Sequence, residues 1–319
     1  MEHGIYAPPP LRRRDRLSQR IVSTAVVGAG TMGNGIAHSL AAGGFDVVLV
    51  DALPAACERA LATVEQNLAA GVSRGKVTAA EAAAARGRIR AATDLSAAAG
   101  AQLVIEAVPE RLELKHDVFR RLEQLCSPDT VLATNTSALS ITEIAAAVTD
   151  PSRVIGMHYF NPAHMMKLVE VVRGLETSDA TVHTAVAVAR ACGKETVLIN
   201  EAPGFATSRI NAMIGNEAFY MLMEGVASAR DIDKALKLGL NHPMGPFEMI
   251  DLVGLDTRLR VLEYLHATLG EKFRPCPLLV KYVNAGRLGR KVGRGVYDYP
   301  DVPAAQAEKK RSAPSVSKA

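Results

Sequence analysis

The stretch TAVVGAGTMGN, Thr24 to Asn34, decides how the first half of the chain is read. An apolar run, Ala25 to Val27, meets the turn Gly28-Ala29-Gly30-Thr31-Met32-Gly33, and helical periodicity follows from Ile36 to Leu40. This is the order strand, tight glycine turn, helix. Gly28 permits the turn, Gly30 lets a pyrophosphate approach the backbone, and Gly33 lets helix and strand pack closely. The N–H groups opening the helix, Thr31 and Met32 among them, give an anion a positive end to sit against. A second apolar run, Val47 to Val50, ends in Asp51, 23 residues after Gly28, where an acid would accept bonds from an adenosine ribose. The competing reading is a tight structural turn closing an ordinary α/β unit.

Outward from this stretch, the 319 residues suffice for two domains of ordinary size. The formal charge of +4 suggests nucleic acid only until it is located. The excess of basic residues lies in 1–20 and 301–319, and what remains is nearly neutral. No basic groove is implied, so no nucleic-acid partner is expected. Cys57, Cys126, Cys192 and Cys276 are scattered without a CxxC spacing, which predicts reduced thiols, a cytoplasmic setting and no metal. Residues 1–20 combine Pro8-Pro9-Pro10 with Arg12-Arg13-Arg14 and lack the apolar segment of a signal peptide. The prolines oppose the amphipathic helix of an organelle-targeting peptide, so a disordered basic extension is expected, as is a disordered tail over 301–319. No apolar run is long enough to span a membrane.

Strand and helix then alternate. Helices are expected at 55–68, from Thr78 through 85, at 111–125 and at 141–148. Strands are expected at 89–91, 101–107, 131–134 and 154–157. Thr78 with Glu81 forms a capping box. The pattern predicts a mostly parallel sheet covered by helices on both faces. Chemistry in such sheets gathers at the C-terminal strand ends. There the sequence places Glu106 and Glu110, then Asn135 and Ser137, then His158 within HYFNP. Each alone is a plausible turn former; together they mark a site at the edge that carries the glycine turn. Glu170 lies inside the apolar run Lys167 to Val172. It is either an edge-strand acid facing water or the carboxylate that orients the His158 imidazole.

These blocks, in this order, make the chain resemble the L-3-hydroxyacyl-CoA dehydrogenases, especially the short-chain 3-hydroxybutyryl-CoA enzymes. The resemblance rests on GAGTMG at 28–33, IEAVPE at 105–110, NTSALS at 135–140, HYFNP at 158–162 and MKLVEV at 166–171. It continues through APGF at 202–205, the long block at 231–256 and GRLGRKVGRGVYDY at 286–299. It implies a Rossmann-like α/β N-terminal domain, an all-helical C-terminal domain that forms much of a homodimer interface, NAD as cofactor and an acyl-CoA substrate. It further implies His158 as catalytic base, Glu170 as its partner, and Ser137 and Asn161 against the reacting oxygen or the histidine. Asp51 would read the ribose, with Glu110, Asn135 and Lys291 near the nicotinamide half. Lys115, counted with the cofactor-binding positions, and Arg74 and Lys76 resemble positions near the CoA moiety, although solvent-facing decoration suits the latter two equally.

Three departures from the usual pattern stand out. Tyr159 replaces Phe, and Ala163-His164-Met165 replaces a Val-Pro-Val run, adding a second imidazole. Ser208 stands where Asn is frequent, with shorter reach toward the substrate. The expected domains are 21–201 for NAD and 202–300 for substrate and dimerisation, joined around Asn200 to Gly204. The second is read as helices at 209–224, 231–238 with Asp231 as N-cap, 256–269 and 277–285, and its Met-bearing faces read either as core or, in large share, as subunit contact. The basic glycine-rich segment 286–295 reads as a loop returning to the cofactor, since it lacks the aromatic interleaving of a nucleic-acid binder. The principal reading is oxidation of an L-3-hydroxyacyl-CoA, or its reverse. A dehydrogenase of free hydroxy acids such as sugar acids, and a non-catalytic dinucleotide-binding protein, remain the alternatives.

Overall fold

The computed structural model describes residues 21–300, so the expected extension 1–20 and tail 301–319 lie outside the described residues. Two compact units divide between Glu201 and Ala202.

The first unit is built on eight strands: β1 (Ser23–Val27), β2 (Asp46–Val50), β3 (Ile89–Ala92), β4 (Leu103–Glu106), β5 (Val131–Thr134), β6 (Val154–Tyr159), β7 (Leu168–Arg173) and β8 (Glu195–Asn200). They form one sheet in the order β3-β2-β1-β4-β5-β6-β7-β8. The first six are parallel neighbours, β7 runs antiparallel to β6, and β8 runs parallel to β7. The order reverses at β1, the switch point where open α/β sheets bind their ligands.

The helices are α1 (Thr31–Ala42), α2 (Pro54–Ser73), α3 (Ala79–Gly87), α4 (Leu112–Leu125), α5 (Ile141–Ala145) and α6 (Asp179–Ala191). Ile36 and Leu40 of α1, Ala60 and Val64 of α2 and Ala185 and Val188 of α6 share one core with Val26, Leu49, Ile105, Ala133, Met157 and Val171. Alternate strand residues point to the other face, where α4 and α5 bury Phe119, Leu122, Ile141 and Ile144. Two helix ends differ most from expectation. α2 runs five residues beyond Leu68, to Ser73. α5 ends at Ala145 because Ala147 and Val148 bond three residues back, tightening the chain out of the α-helix. α3 begins where expected, with the Thr78–Glu81 capping box complete.

The second unit holds α7 (Thr207–Met223), α8 (Ala229–Gly239), α9 (Pro246–Val253), α10 (Leu255–Leu269) and α11 (Pro277–Asn284), with only isolated β-bridges among its described residues. Phe219, Phe247, Leu262, Leu265 and Phe273 form its core. Asp231 is not the cap of α8. Ser228 is, its Oγ accepting from the Asp231 N–H at 3.2 Å, while Asp231 occupies the first turn. Two buried aspartates tie the C-terminal segment to the helices. Asp233 accepts from the Phe247 N–H and the Tyr297 hydroxyl, and Asp251 from the N–H groups of Val296 and Tyr297 and the Tyr299 hydroxyl. Burial raises both carboxyl pKa values. Among the described residues no helix is long and apolar enough to cross a membrane.

One helix of the first unit carries a pH-sensitive group. His38 of α1 is 8% exposed, and its ring stacks on His164 with centroids 4.8 Å apart. Burial, with the charges of His164 and Lys194 nearby, lowers its pKa to about 4. Below the unfolded value, about 6.5, the unfolded chain takes a proton that the folded chain refuses, so folding stability falls as pH drops toward 4. We predict that His38 costs about 2 kcal/mol of unfolding free energy between about pH 7 and about pH 5. Denaturant unfolding of His38→Leu at both pH values should show a flatter dependence than the parent chain; an unchanged dependence would contradict the assignment.

Candidate active site

The glycine turn fits a dinucleotide in its own geometry. Gly28 has φ +103°, and a Cβ there would lie 2.7 Å from the Ala107 carbonyl oxygen. At Gly33 a Cβ would collide with the Gly28 carbonyl. At Gly30 a Cβ would meet nothing within 4 Å, so the open side of the turn is the side a pyrophosphate needs. No side chain caps α1, which leaves the N–H groups of its first turn, at Thr31, Met32 and Gly33, to be satisfied by a ligand. Asp51 does more than sequence reasoning assigned to it. Its Oδ2 accepts from the Ala29 N–H at 2.8 Å and its Oδ1 from the Leu53 N–H at 3.0 Å. The acid therefore holds the turn that it was expected to assist.

Strand parity explains the rest of the site. Glu106 stands opposite Thr134 between β4 and β5, Thr134 opposite Gly156 between β5 and β6, and His158 opposite Glu170 between β6 and β7. Register and the two-residue period put Glu106, Thr134, His158 and Glu170 on one face, away from α1, α2 and α6. Glu170 is fully buried and receives a bond from His158 Nδ1 at 2.7 Å, so the water-facing alternative for this acid is excluded. Nδ1–H donation to the carboxylate fixes the tautomer with its lone pair on Nε2. The Phe160 ring packs on the imidazole with centroids 4.5 Å apart.

Beside the pair lies a second polar network. Lys115 of α4 is 1% exposed, and its Nζ donates to both oxygens of Glu106 at 2.8 and 2.9 Å and lies 3.3 Å from Glu110. Thr134 Oγ1 and the Val108 N–H also donate to Glu106. Desolvation raises the Glu106 pKa despite the opposing ammonium. Glu110 accepts from Thr136 Oγ1 and from the Ser137 N–H at 2.9 Å. Asn135 Oδ1 accepts from the Tyr159 N–H at 2.8 Å, tying the end of β5 to the end of β6.

The structure thus joins Glu110, Lys115 and Ser137, and separately joins Asn135 to the His158 strand. Ser137 and Asn161 are exposed just beyond β5 and β6. The placement of Lys115 corrects the expectation of a basic side chain offered to CoA: two carboxylates take up its ammonium inside the fold. Arg74 and Lys76 are exposed on the turn between α2 and α3, where Gly75 has φ +63°, and neither is hydrogen-bonded into the His158 cluster. In the second unit, Ser208 is half-buried near the start of α7 and Lys291 is ion-paired with Asp256. Sequence reasoning missed Thr134 and Thr136. Their only signal is their place at the end of β5, where a hydroxyl can bond a neighbouring carboxylate.

Residues 23–202 match the family described as 3-hydroxyacyl-CoA dehydrogenase, NAD binding domain. Residues 204–299 match its C-terminal domain. The chain belongs to the 3-hydroxyacyl-CoA dehydrogenase family. It is an NAD-dependent oxidoreductase of that family. It is similar to a probable 3-hydroxybutyryl-CoA dehydrogenase of Bacillus subtilis, 48% identical over 86% of this chain and 96% of the relative. The 3-hydroxyadipyl-CoA dehydrogenase of Escherichia coli is 43% identical over 88% of this chain and 59% of that one. Among solved structures, the (S)-3-hydroxybutyryl-CoA dehydrogenase of Ralstonia eutropha superposes with a TM-score of 0.85 at 42% identity, covering 88% of this chain and all of that one.

In this dehydrogenase, replacing Lys115 with Met leaves Glu106 buried without its cation. Removing one partner of such a pair typically costs about 3–5 kcal/mol. We expect urea unfolding to show a loss of that order for Lys115→Met, much of it recovered in Lys115→Met/Glu106→Gln. A loss below about 1 kcal/mol would show that the pair holds little together.

Proposed function

We propose that the chain oxidises 3-hydroxybutyryl-CoA to the 3-oxoacyl thioester, and runs the reverse reaction, with His158 as general acid–base and Glu170 as its partner. The observation that carries this reading is the 2.7 Å bond between His158 and Glu170 at the sheet edge that bears the glycine turn. Short-chain substrate preference rests on the 3-hydroxybutyryl-CoA relatives.

During oxidation, His158 Nε2 accepts the proton of the C3 hydroxyl. The Glu170 carboxylate stabilises the imidazolium that forms and keeps the ring from turning. In reduction the imidazolium returns the proton to the developing alkoxide. Ser137 Oγ and the Asn161 amide, exposed at the ends of the neighbouring strands, donate to the reacting oxygen and favour its charged form. Ser208 contributes one further hydrogen bond toward substrate, with Arg74 and Lys76 available to the anionic CoA end. NAD, when bound, supplies the two-electron redox chemistry at C3. Gly28, Gly30 and Gly33 with the start of α1 hold its pyrophosphate and Asp51 its adenosine ribose. Glu110, backed by Lys115, together with Asn135 and Lys291, serves its nicotinamide half. Two copies of the chain pair through the second unit, a reading supported by the exposed Ile210, Met213, Val226, Leu238, Leu240 and Leu252. Free thiols at all four cysteines fit the cytoplasm.

The enzyme mixed with NADH and acetoacetyl-CoA should consume NADH absorbance, and His158→Gln should lower kcat by about 10²–10⁴-fold with NADH binding retained. No consumption with acetoacetyl-CoA, but turnover of a free hydroxy acid, would favour the sugar-acid alternative. Repulsion between Asp51 and a 2′-phosphate should favour NADH over NADPH by about tenfold or more in kcat/KM. Equal values for the two cofactors would remove Asp51 as the discriminator.

A further inference from the structure

The connection from β6 to β7, residues 160–167, joins the proposed base to its carboxylate and carries Asn161. It is a short surface segment, yet three independent contacts fix it. Ala163 is 2% exposed and packs on Gly35 of α1, where an added Cβ would come within 3.1 Å of the Ala163 Cβ. His164 stacks on His38, one turn further along the same helix. The third contact is the strongest. Lys194, 6% exposed just before β8, donates from Nζ to the Ala163 carbonyl at 2.7 Å and to the Met166 carbonyl at 2.8 Å.

A buried ammonium is retained only where oxygen acceptors surround it. Here the acceptors are two main-chain carbonyls three residues apart, not a carboxylate. The Pro162 carbonyl accepts from the N–H groups of both Met165 and Met166, so the segment closes into one tight turn around the lysine. The Glu195 N–H, next along the chain, donates to the Lys167 carbonyl at 2.7 Å and docks the same segment on β8. Charge-assisted bonds of this kind are shorter and stronger than neutral ones.

We propose that Lys194 is a positioning residue for the dehydrogenase reaction: its ammonium clamps residues 160–167 and thereby sets Asn161 beside the reacting oxygen served by His158. The proposal rests on the acyl-CoA reading above for its kinetic consequence, but not for the clamp itself. Lys194→Met keeps the apolar stem and loses both bonds. Lys194→Arg keeps a cationic donor, and Lys194→Gln keeps a shorter, uncharged one.

Two readouts test this on the full-length enzyme. Hydrogen exchange across 160–167 needs no substrate and should quicken in Lys194→Met, with Lys194→Arg close to the parent. Misplacement of a positioned group by about 1 Å can cost about a hundredfold in rate. Turnover of acetoacetyl-CoA with NADH should therefore fall by about tenfold to a hundredfold in kcat per folded site, with NADH affinity unchanged. Lys194→Arg should regain most of the loss. A folded Lys194→Met with parental exchange and parental kcat would overturn the proposal. So would a loss confined to thermal stability, since a merely structural lysine leaves kcat per folded site alone. If Lys194→Met does not fold, Lys194→Gln decides: an intermediate kcat with faster exchange supports the clamp, and parental values refute it. A parent chain inactive toward acetoacetyl-CoA would instead fail the acyl-CoA reading, with hydrogen exchange still judging the clamp.

Discussion

A carboxylate with no solvent exposure needs a partner, and in this chain the partner of Glu170 is set by strand register. β7 is the first strand to run antiparallel, so its residues meet those of β6 directly across the ladder, and Glu170 falls opposite His158. An antiparallel pair brings facing side chains close enough to bond without help from a loop. The imidazole orientation is therefore a property of the sheet. A slip of β7 by one residue would turn Glu170 to the opposite face, into the core packed by α1 and α6, and leave His158 without it. The reversal of direction at β7 is what converts a parallel sheet into a scaffold for a histidine–carboxylate pair.

The same parity gathers the neighbouring groups. Glu106, Thr134 and His158 share a face because each stands an even number of residues from its registered neighbour. α4 then brings Lys115 down onto Glu106. The buried lysine also holds Glu110, and Glu110 holds the Ser137 N–H, so the turn after β5 is fixed from within the fold. Asn135 binds the end of β5 to that of β6, and Asp51 binds the end of β2 to the glycine turn. The C-terminal edge is thus cross-linked by side chains at successive strands, and the exposed hydroxyl of Ser137 and amide of Asn161 stand on a rigid rim. Preorganised donors of this kind act without reorganising when charge develops.

Much of this was legible in the residues. The alternation of apolar runs gave the strands, and the GxGxxG turn with Asp51 located the ligand edge. His158, Asn135 and Ser137 were readable as strand-end residues. Glu170 stood out because an acid inside an apolar strand must be satisfied. Three things were not legible. Sequence spacing carries no strand direction, so nothing in KLVEVV announced an antiparallel β7. A lysine on an amphipathic helix looks solvent-facing until the carboxylates of another strand are placed, which is why Lys115 read as a ligand contact. Ser228 was passed over as the cap of α8 because Asp231, three residues later, carries an equally good capping side chain. The family match then agrees, across both units, with the resemblance drawn from the motifs.

The central claim is that Glu170 acts through His158 by charge. It is tested most directly by the pH dependence of kcat/KM for oxidation in Glu170→Gln, a change that keeps the shape of the side chain and removes its charge. Losing a negative neighbour disfavours imidazolium, so the limb of the profile that reports the essential base should move to lower pH, with a sharp fall in kcat and NAD binding intact. A folded, NAD-binding Glu170→Gln enzyme whose profile does not move would contradict the pairing.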